Sequence, residues 1–366
     1  LYLWVNVKRR IMKKIYLLCA LSLACCFACT KDNEEIPEPP VITPTPEPEP
    51  DPEPIIWRSY IPSYVELLKD SVWPDGKGET FIVKKTTVFA GLLKDNFRLE
   101  DGIYPGMVVD VNPDSILATR PVLDVKYNPI TFASWPYVGA VTTDRPNETM
   151  CTDMKEKVLA STSQVNSFSA SSLDYHSAKE LYMLYAHEGL RLDSIMNGAD
   201  YSRREMKEKN GVLYSFEYTV FSIDMDLPLL GGLLQEDPEN YTSLSYIRSV
   251  SYGVRGCMTI ESDSACTSIK SVVNKIKSGE ILTEAENTLI KSSHVRTALF
   301  HAGGGGYFAE ETGPTLDGAK ALITEYFNPL NINQWVGILD ISFADYHDHS
   351  VADVVVRIDA PVSSRE

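Results

Sequence analysis

The sequence predicts an α+β fold: long antiparallel strands, interrupted by helix-forming insertions. Three patterns carry that prediction. Val212, Tyr214, Phe216, Tyr218 and Val220 share one strand face, and the apolar set then moves to Phe221, Ile223 and Met225, which predicts a long strand with a bulge or bend. Val250, Tyr252, Val254, Met258 and Ile260 alternate as a second strand, with Gly256 breaking the face. Ile269, Val272, Val273 and Ile276 stand at i, i+3, i+4 and i+7 before Gly279, the spacing of one helical face followed by a glycine stop.

The remaining elements follow in chain order. Met12-Lys13-Lys14 is a positive n-region, and Ile15 to Phe27 is a short apolar run ending at Ala28-Cys29, so residues 12–28 read as a signal peptide. A small residue followed by cysteine at the end of such a run resembles a bacterial lipobox, with Cys29 as the acylated residue. Cys26 stands where leucine is usual, which keeps Cys25 as the rival site and an ordinary signal peptide as the plain alternative. The polar, acidic Lys31 to Glu35 resembles the export signal of Bacteroidetes surface lipoproteins, so an outer-membrane or cell-surface location is expected, or secretion. Nine prolines lie between Pro37 and Pro54. Proline fixes φ and removes donors, so residues 29–56 read as an extended tether rather than helix or sheet.

From residue 57 to 366 the chain reads as one folded region. Its additional elements are a strand at Val295 to Phe300, a hairpin-like pair formed by Ile338 to Phe343 and Val351 to Ile358, and helices opening at Ser177-Ala178-Lys179-Glu180 and running from Gly318 to Phe327. The net charge of −16 argues against nucleic acid as a partner, because neutralising phosphates takes a basic surface. Past the signal, Cys151, Cys257 and Cys266 form neither a disulfide framework nor a zinc pattern, and pairing of Cys257 with Cys266 stays open beside two free thiols.

Several segments together resemble the cholesterol-dependent (thiol-activated) cytolysins. They are Ile103-Tyr104-Pro105-Gly106-Met107-Val108-Val109, Pro121-Val122-Leu123 with Asn128-Pro129-Ile130-Thr131, Val220-Phe221-Ser222-Ile223-Asp224, Ile247 to Val254, and Val295 to Gly304, in that family's order and rough spacing. The resemblance implies a MACPF/cholesterol-dependent-cytolysin-like core, a bent antiparallel sheet flanked by two helical bundles. It further implies rings of self-associated copies on membrane lipid, with both bundles unravelling into transmembrane β-hairpins. Val165, Leu181, Tyr182 and Tyr185 would belong to the first inserting segment, and Ile269, Val272, Val273 and Ile276 to the second. Gly303 and Gly304 would be the sheet-bend glycines, and Tyr252 and Gly253 would lie at the oligomer edge. The family's tryptophan-rich undecapeptide is absent, and residues 57–366 correspond to the family's first three domains without its fourth, so cholesterol binding has no support.

A membrane β-strand takes about 9–11 residues, and both segments are long enough for a hairpin. The alternation is thin: Met258, Ile260, Ser262, Ser264 and Cys266 would share a lipid face. A second pore component or receptor therefore stays open, as does a non-lytic tethered module that binds a glycan or protein. No catalytic site, cofactor or metal is expected. His187-Glu188-Gly189-Leu190-Arg191 has arginine where a zinc helix needs its second histidine, Gly303 to Gly306 lacks the lysine of a phosphate loop, and His347-Asp348-His349 reads as a solvated turn before a metal pair.

Overall fold

The computed structural model describes residues 66–75, 78–93, 102–135, 139–161, 167–177, 180–181, 184, 206–228, 231–241, 243–302, 306–311, 316–327 and 335–361. Its spine is a pair of long antiparallel strands, β9 (Asn210–Met225) and β10 (Leu244–Ser262), the two runs whose alternation is plainest in the sequence. Their register steps at one point. Tyr252 faces Phe221 and Gly253 faces Thr219, so Val220 is an extra residue on β9, where the sequence predicts the change of face. The two backbones come so close there that a Cβ on Gly253 would stand 2.1 Å from the Tyr218 carbonyl oxygen.

Both central strands exchange their outer neighbours at this bulge. On the side of the insertions, β9 pairs with β8 (Ser167–Tyr175), and β10 pairs with β11 (His294–Phe300), which pairs in turn with β12 (Gly306–Glu311). Beyond the bulge, β9 pairs with β6 (Ile130–Trp135), itself beside β7 (Ala140–Thr143). There β10 pairs with β13 (Gly337–Asp345) and, past the end of β9, with β4 (Val108–Asp110).

The expected hairpin near the end of the chain is shorter than its sequence suggests. Only β14 (Val351–Ala352) pairs back onto β13, around a turn in which the Asp345 carboxylate accepts the backbone N–H groups of His347 (2.8 Å) and Asp348 (3.1 Å). The chain then crosses into a separate three-stranded sheet as β15 (Val354–Pro361), beside β2 (Gly78–Lys85) and β1 (Glu66–Val72). A second crossing joins the sheets, because β2 leads into β3 (Thr87–Phe89), which pairs with β13. Alternation fixes that a segment is a strand but not which sheet receives it.

Two cores fill the faces. The larger holds α1 (Glu148–Ala160), whose buried Cys151, Met154 and Val158 belong to the same cluster as Phe221 and Tyr252. The sequence reading contains no such helix, since its apolar stripe is one residue wide and built of soft residues. Its Asn147 cap is plain in the structure, accepting the Met150 N–H at 2.9 Å. The second core holds α2 (Cys266–Ser278), α3 (Glu284–Lys291) and α4 (Leu316–Phe327) against Val212, Tyr214, Phe216, Met258 and Ile260. Gly279 ends α2 with a left-handed φ of 71°, and a Thr283/Glu286 capping box starts α3. Lys275 reaches Glu286 at 2.6 Å and joins the two helices. From α4, the buried Tyr326 hydroxyl stands 3.0 Å from the Tyr214 carbonyl oxygen and 3.2 Å from that of Gly256, shared between both central strands.

The first helical bundle, expected from Val165 onward, begins instead as strand. Residues 167–175 pair with β9 along their whole length, and Phe168 packs beside Phe216 and Tyr218. Among the described residues the next helical one is Glu180, whose N–H is accepted by the Ser177 hydroxyl at 3.1 Å.

Candidate functional site

The features of interest are two long insertions that leave the sheet at one level. Residues 176–209 join β8 to β9, and residues 263–293 join β10 to β11, so each connects neighbouring antiparallel strands. Tyr175 faces Gly211, Gly211 faces Glu261, and Glu261 faces His294, which places all four roots on one cross-strand row. Half of either insertion, about 15 residues at ~3.3 Å each, would span about 50 Å if extended, more than the hydrocarbon thickness of a bilayer.

The roots are tied together by polar contacts. Glu261, 3% exposed, accepts the backbone N–H of Lys207 at 2.9 Å and faces the Tyr175 hydroxyl at 3.5 Å. Burial raises its pKa above the usual carboxylate value, against the opposing pull of that N–H and of His294. Lys270 of α2 reaches Asp174 of β8 at 2.7 Å, and the Cys266 thiol lies 3.5 Å from the Gly211 carbonyl. The second insertion is therefore fastened to the strand that leads into the first.

Of the second segment, Ile269, Val272 and Val273 are buried and Ile276 is partly buried, all in the core beneath α2. Of the first, Leu181 is buried in the larger core, to which Tyr175, Leu213 and Cys257 contribute from the other face of the sheet. Val165, Tyr182 and Tyr185 lie outside the described residues, as do Cys29, the 12–56 signal and tether, His187-Glu188 and the glycines Gly303 and Gly304. The three described cysteines are free and buried. Cys257 and Cys266 sit in different cores, which settles the open pairing as two separate thiols. Burial pushes the Cys151 thiol up to about 12, and the Tyr252 hydroxyl is its hydrogen-bond partner.

Tyr252 and Gly253 are not at an edge. Tyr252 has Phe221 on one side and Ile338 on the other, and Gly253 has Thr219 and Gly337. Tyr252 stacks flat on Phe221 with centroids 4.6 Å apart, so its place is in the interior, and Gly253 serves the close approach at the bulge. Among the described residues β8 pairs with β9 alone, and all of it except Tyr175 is exposed, including Phe168 at 61% and Leu173 at 42%. Its serine-rich composition hid it from sequence reading. The available signal was the alternation of Phe168, Ala170 and Ser172 just ahead of a helix cap. Among the described residues no helix is long and apolar enough to cross a membrane.

No protein-family model and no curated protein sequence matches this chain. Among solved structures, wild-type pneumolysin superposes with a TM-score of 0.54 at 13% identity, over 83% of this chain and 70% of that one. The cytotoxin suilysin of Streptococcus suis gives 0.51 at 12% identity, over 81% and 68%. A non-hemolytic pneumolysin from Streptococcus pneumoniae strain ST306 gives 0.50 at 14% identity, over 81% and 68%.

The fold is that of the cholesterol-dependent cytolysins.

At such identities the likeness is one of fold. Within this cytolysin-like fold the large antiparallel sheet and the helix pair α2–α3 are present, while the segment expected to open a first bundle is the strand β8.

Proposed function

We propose that this protein forms pores: copies assemble edge to edge on a membrane, and residues 176–209 and 263–293 refold into β-hairpins that together close a barrel. The observation that carries this reading is the common row of the four roots, Tyr175, Gly211, Glu261 and His294, because two hairpins grown from one row extend a single sheet without a change of register. A closed barrel satisfies every backbone group inside the bilayer, so the hairpins act only in rings. The exposed β8 supplies an open edge for the next copy. In this reading Cys29 carries the lipid that holds the protein at an outer membrane or cell surface, the prolines form the tether, no cofactor or catalysis is involved, and a second component or receptor aids docking.

A second reading is a non-lytic tethered module for a glycan or protein. The hydroxyl-rich surface of β8, with Ser171 and Ser215 bonded at 2.7 Å, favours it.

The test is dye release from liposomes of bacterial-type lipids with the full mature chain, with electron micrographs of the same samples. Leakage with ring-shaped particles supports the pore. Monomers at every concentration without leakage, also after addition of neighbouring gene products, would leave the binding module.

A further inference from the structure

Between α2 and α3 the second insertion holds a groove of about 530 Å³, a volume within the ~300–1,000 Å³ usual for small-molecule sites. One wall is Ser264, just ahead of α2, with Thr267, Ser268 and Ser271, at i, i+3, i+4 and i+7. The other repeats that spacing from Ala285 through Thr288 and Leu289 to Ser292. Each wall is thus one face of a helical turn pattern, and the two faces meet across the groove. Val272, Ala285 and Leu289 supply apolar surface between the hydroxyls.

The hydroxyls of the first wall are the telling ones. On a helix such groups commonly turn back on the main chain, as Ser278 does to the Asn274 carbonyl (2.7 Å), Thr288 to that of Glu284 (2.9 Å) and Ser292 to that of Leu289 (3.1 Å). Those of Ser264, Thr267, Ser268 and Ser271 make no such bond among the described residues, so each can both donate and accept. A merely solvated face is better served by lysine, a stronger helix former, and Lys270, Lys275 and Lys277 of α2 all stand outside the groove. The one charged residue lining it among those described, Glu286, is already engaged, by Lys275 at 2.6 Å and by the Thr283 N–H at 2.8 Å. A ligand suited to this groove is uncharged, rich in hydroxyls, and apolar along one side.

We propose that the α2–α3 groove binds a short neutral oligosaccharide, whose hydroxyls pair with those of Ser264, Thr267, Ser268 and Ser271 and whose C–H face lies on Val272, Ala285 and Leu289. The site is separate from the surface of β8. Because the sugar touches both helices, it holds them side by side. A consequence rests on the pore-forming reading above: a sugar that binds only the helical form of residues 263–293 opposes their extension and slows pore formation.

The experiment presents the full mature chain with free cellobiose, lactose, maltose and N-acetylchitobiose, and with vesicles carrying lactosylceramide, which separates a soluble source from a membrane-borne headgroup. At least one of these probes is expected to raise the melting temperature and to protect residues 266–278 and 284–291 from hydrogen exchange. Ser268→Leu and Ser271→Leu, at exposed positions where the fold is kept, should remove both effects, whereas Asn274→Leu, exposed on α2 outside the groove, should keep them. Failure of every probe to protect the two helices, or protection that survives both serine variants, would overturn the site. With the sugar bound, dye release should slow several-fold in the wild type and not in Ser271→Leu. Release unchanged by a bound sugar would overturn the consequence and leave the site standing. A wild-type chain that binds the sugar and never releases dye, with or without it, would instead count against the pore.

Discussion

Gly253 marks the place where the sheet changes partners, and its hydrogen is all that fits between β10 and the Tyr218 carbonyl. Replacing it with alanine forces two backbones apart, so Gly253→Ala is expected to cost about 2–4 kcal/mol, read as a lower denaturant midpoint. Glu261 gives the opposite kind of prediction. Its carboxyl binds a proton more tightly in the folded protein than in the unfolded chain, because burial disfavours the charge. The ionised group therefore destabilises the fold at any pH above its raised folded value, and this cost disappears as pH falls to the ordinary carboxylate value of 4.5. Glu261→Gln keeps an oxygen for the Lys207 N–H and removes the charge. Its melting temperature should be higher at neutral pH, and its rise on acidification toward 4.5 smaller, than in the wild type. A lower melting temperature at neutral pH would contradict this account.

Between elements, the contact to test is Lys270 to Asp174, which fastens α2 to β8. The pair is partly exposed, worth roughly 1 kcal/mol at most. In the pore-forming reading this pair holds the second insertion down, so Lys270→Met and Asp174→Asn, each of which removes it, should raise the rate of dye release to a similar extent, up to about five-fold. A rate left unchanged by both would mean that the pair does not hold the insertion. The elements that sequence reading finds are those whose period is written in strong residues: β9 and β10 in alternating aromatics and β-branched residues, α2 in four aliphatics, α4 before Phe327. It misses α1, whose buried stripe is Cys151, Met154 and Val158, and β8, whose outward residues are mostly serine. The bulge at Val220 is legible because it flips the face of every later side chain. The edge is not, because whether a strand is central depends on partners far along the chain: Tyr252 lies between residues 221 and 338.

At the scale of the molecule, the two cores decide which substitutions separate folding from assembly. Charges placed at Met258, Ile260 or Val272 would enter a sealed core and unfold the monomer, so they cannot report on pore formation. Phe168 on the open edge is the better probe. Phe168→Asp should change monomer stability by about 1 kcal/mol or less while abolishing ring-shaped particles, as checked by thermal melts and micrographs. Rings that persist would move the interface away from β8. The dock of α4 has a different implication, for descent. The Tyr326 hydroxyl grips main-chain oxygens of β9 and β10, while its ring packs on Phe216. Mutations that exchange one strand-forming residue for another leave those oxygens where they are, so lineages can diverge through both strands and keep the helix seated. Anchorage of that kind lets an architecture outlive the wording of its sequence.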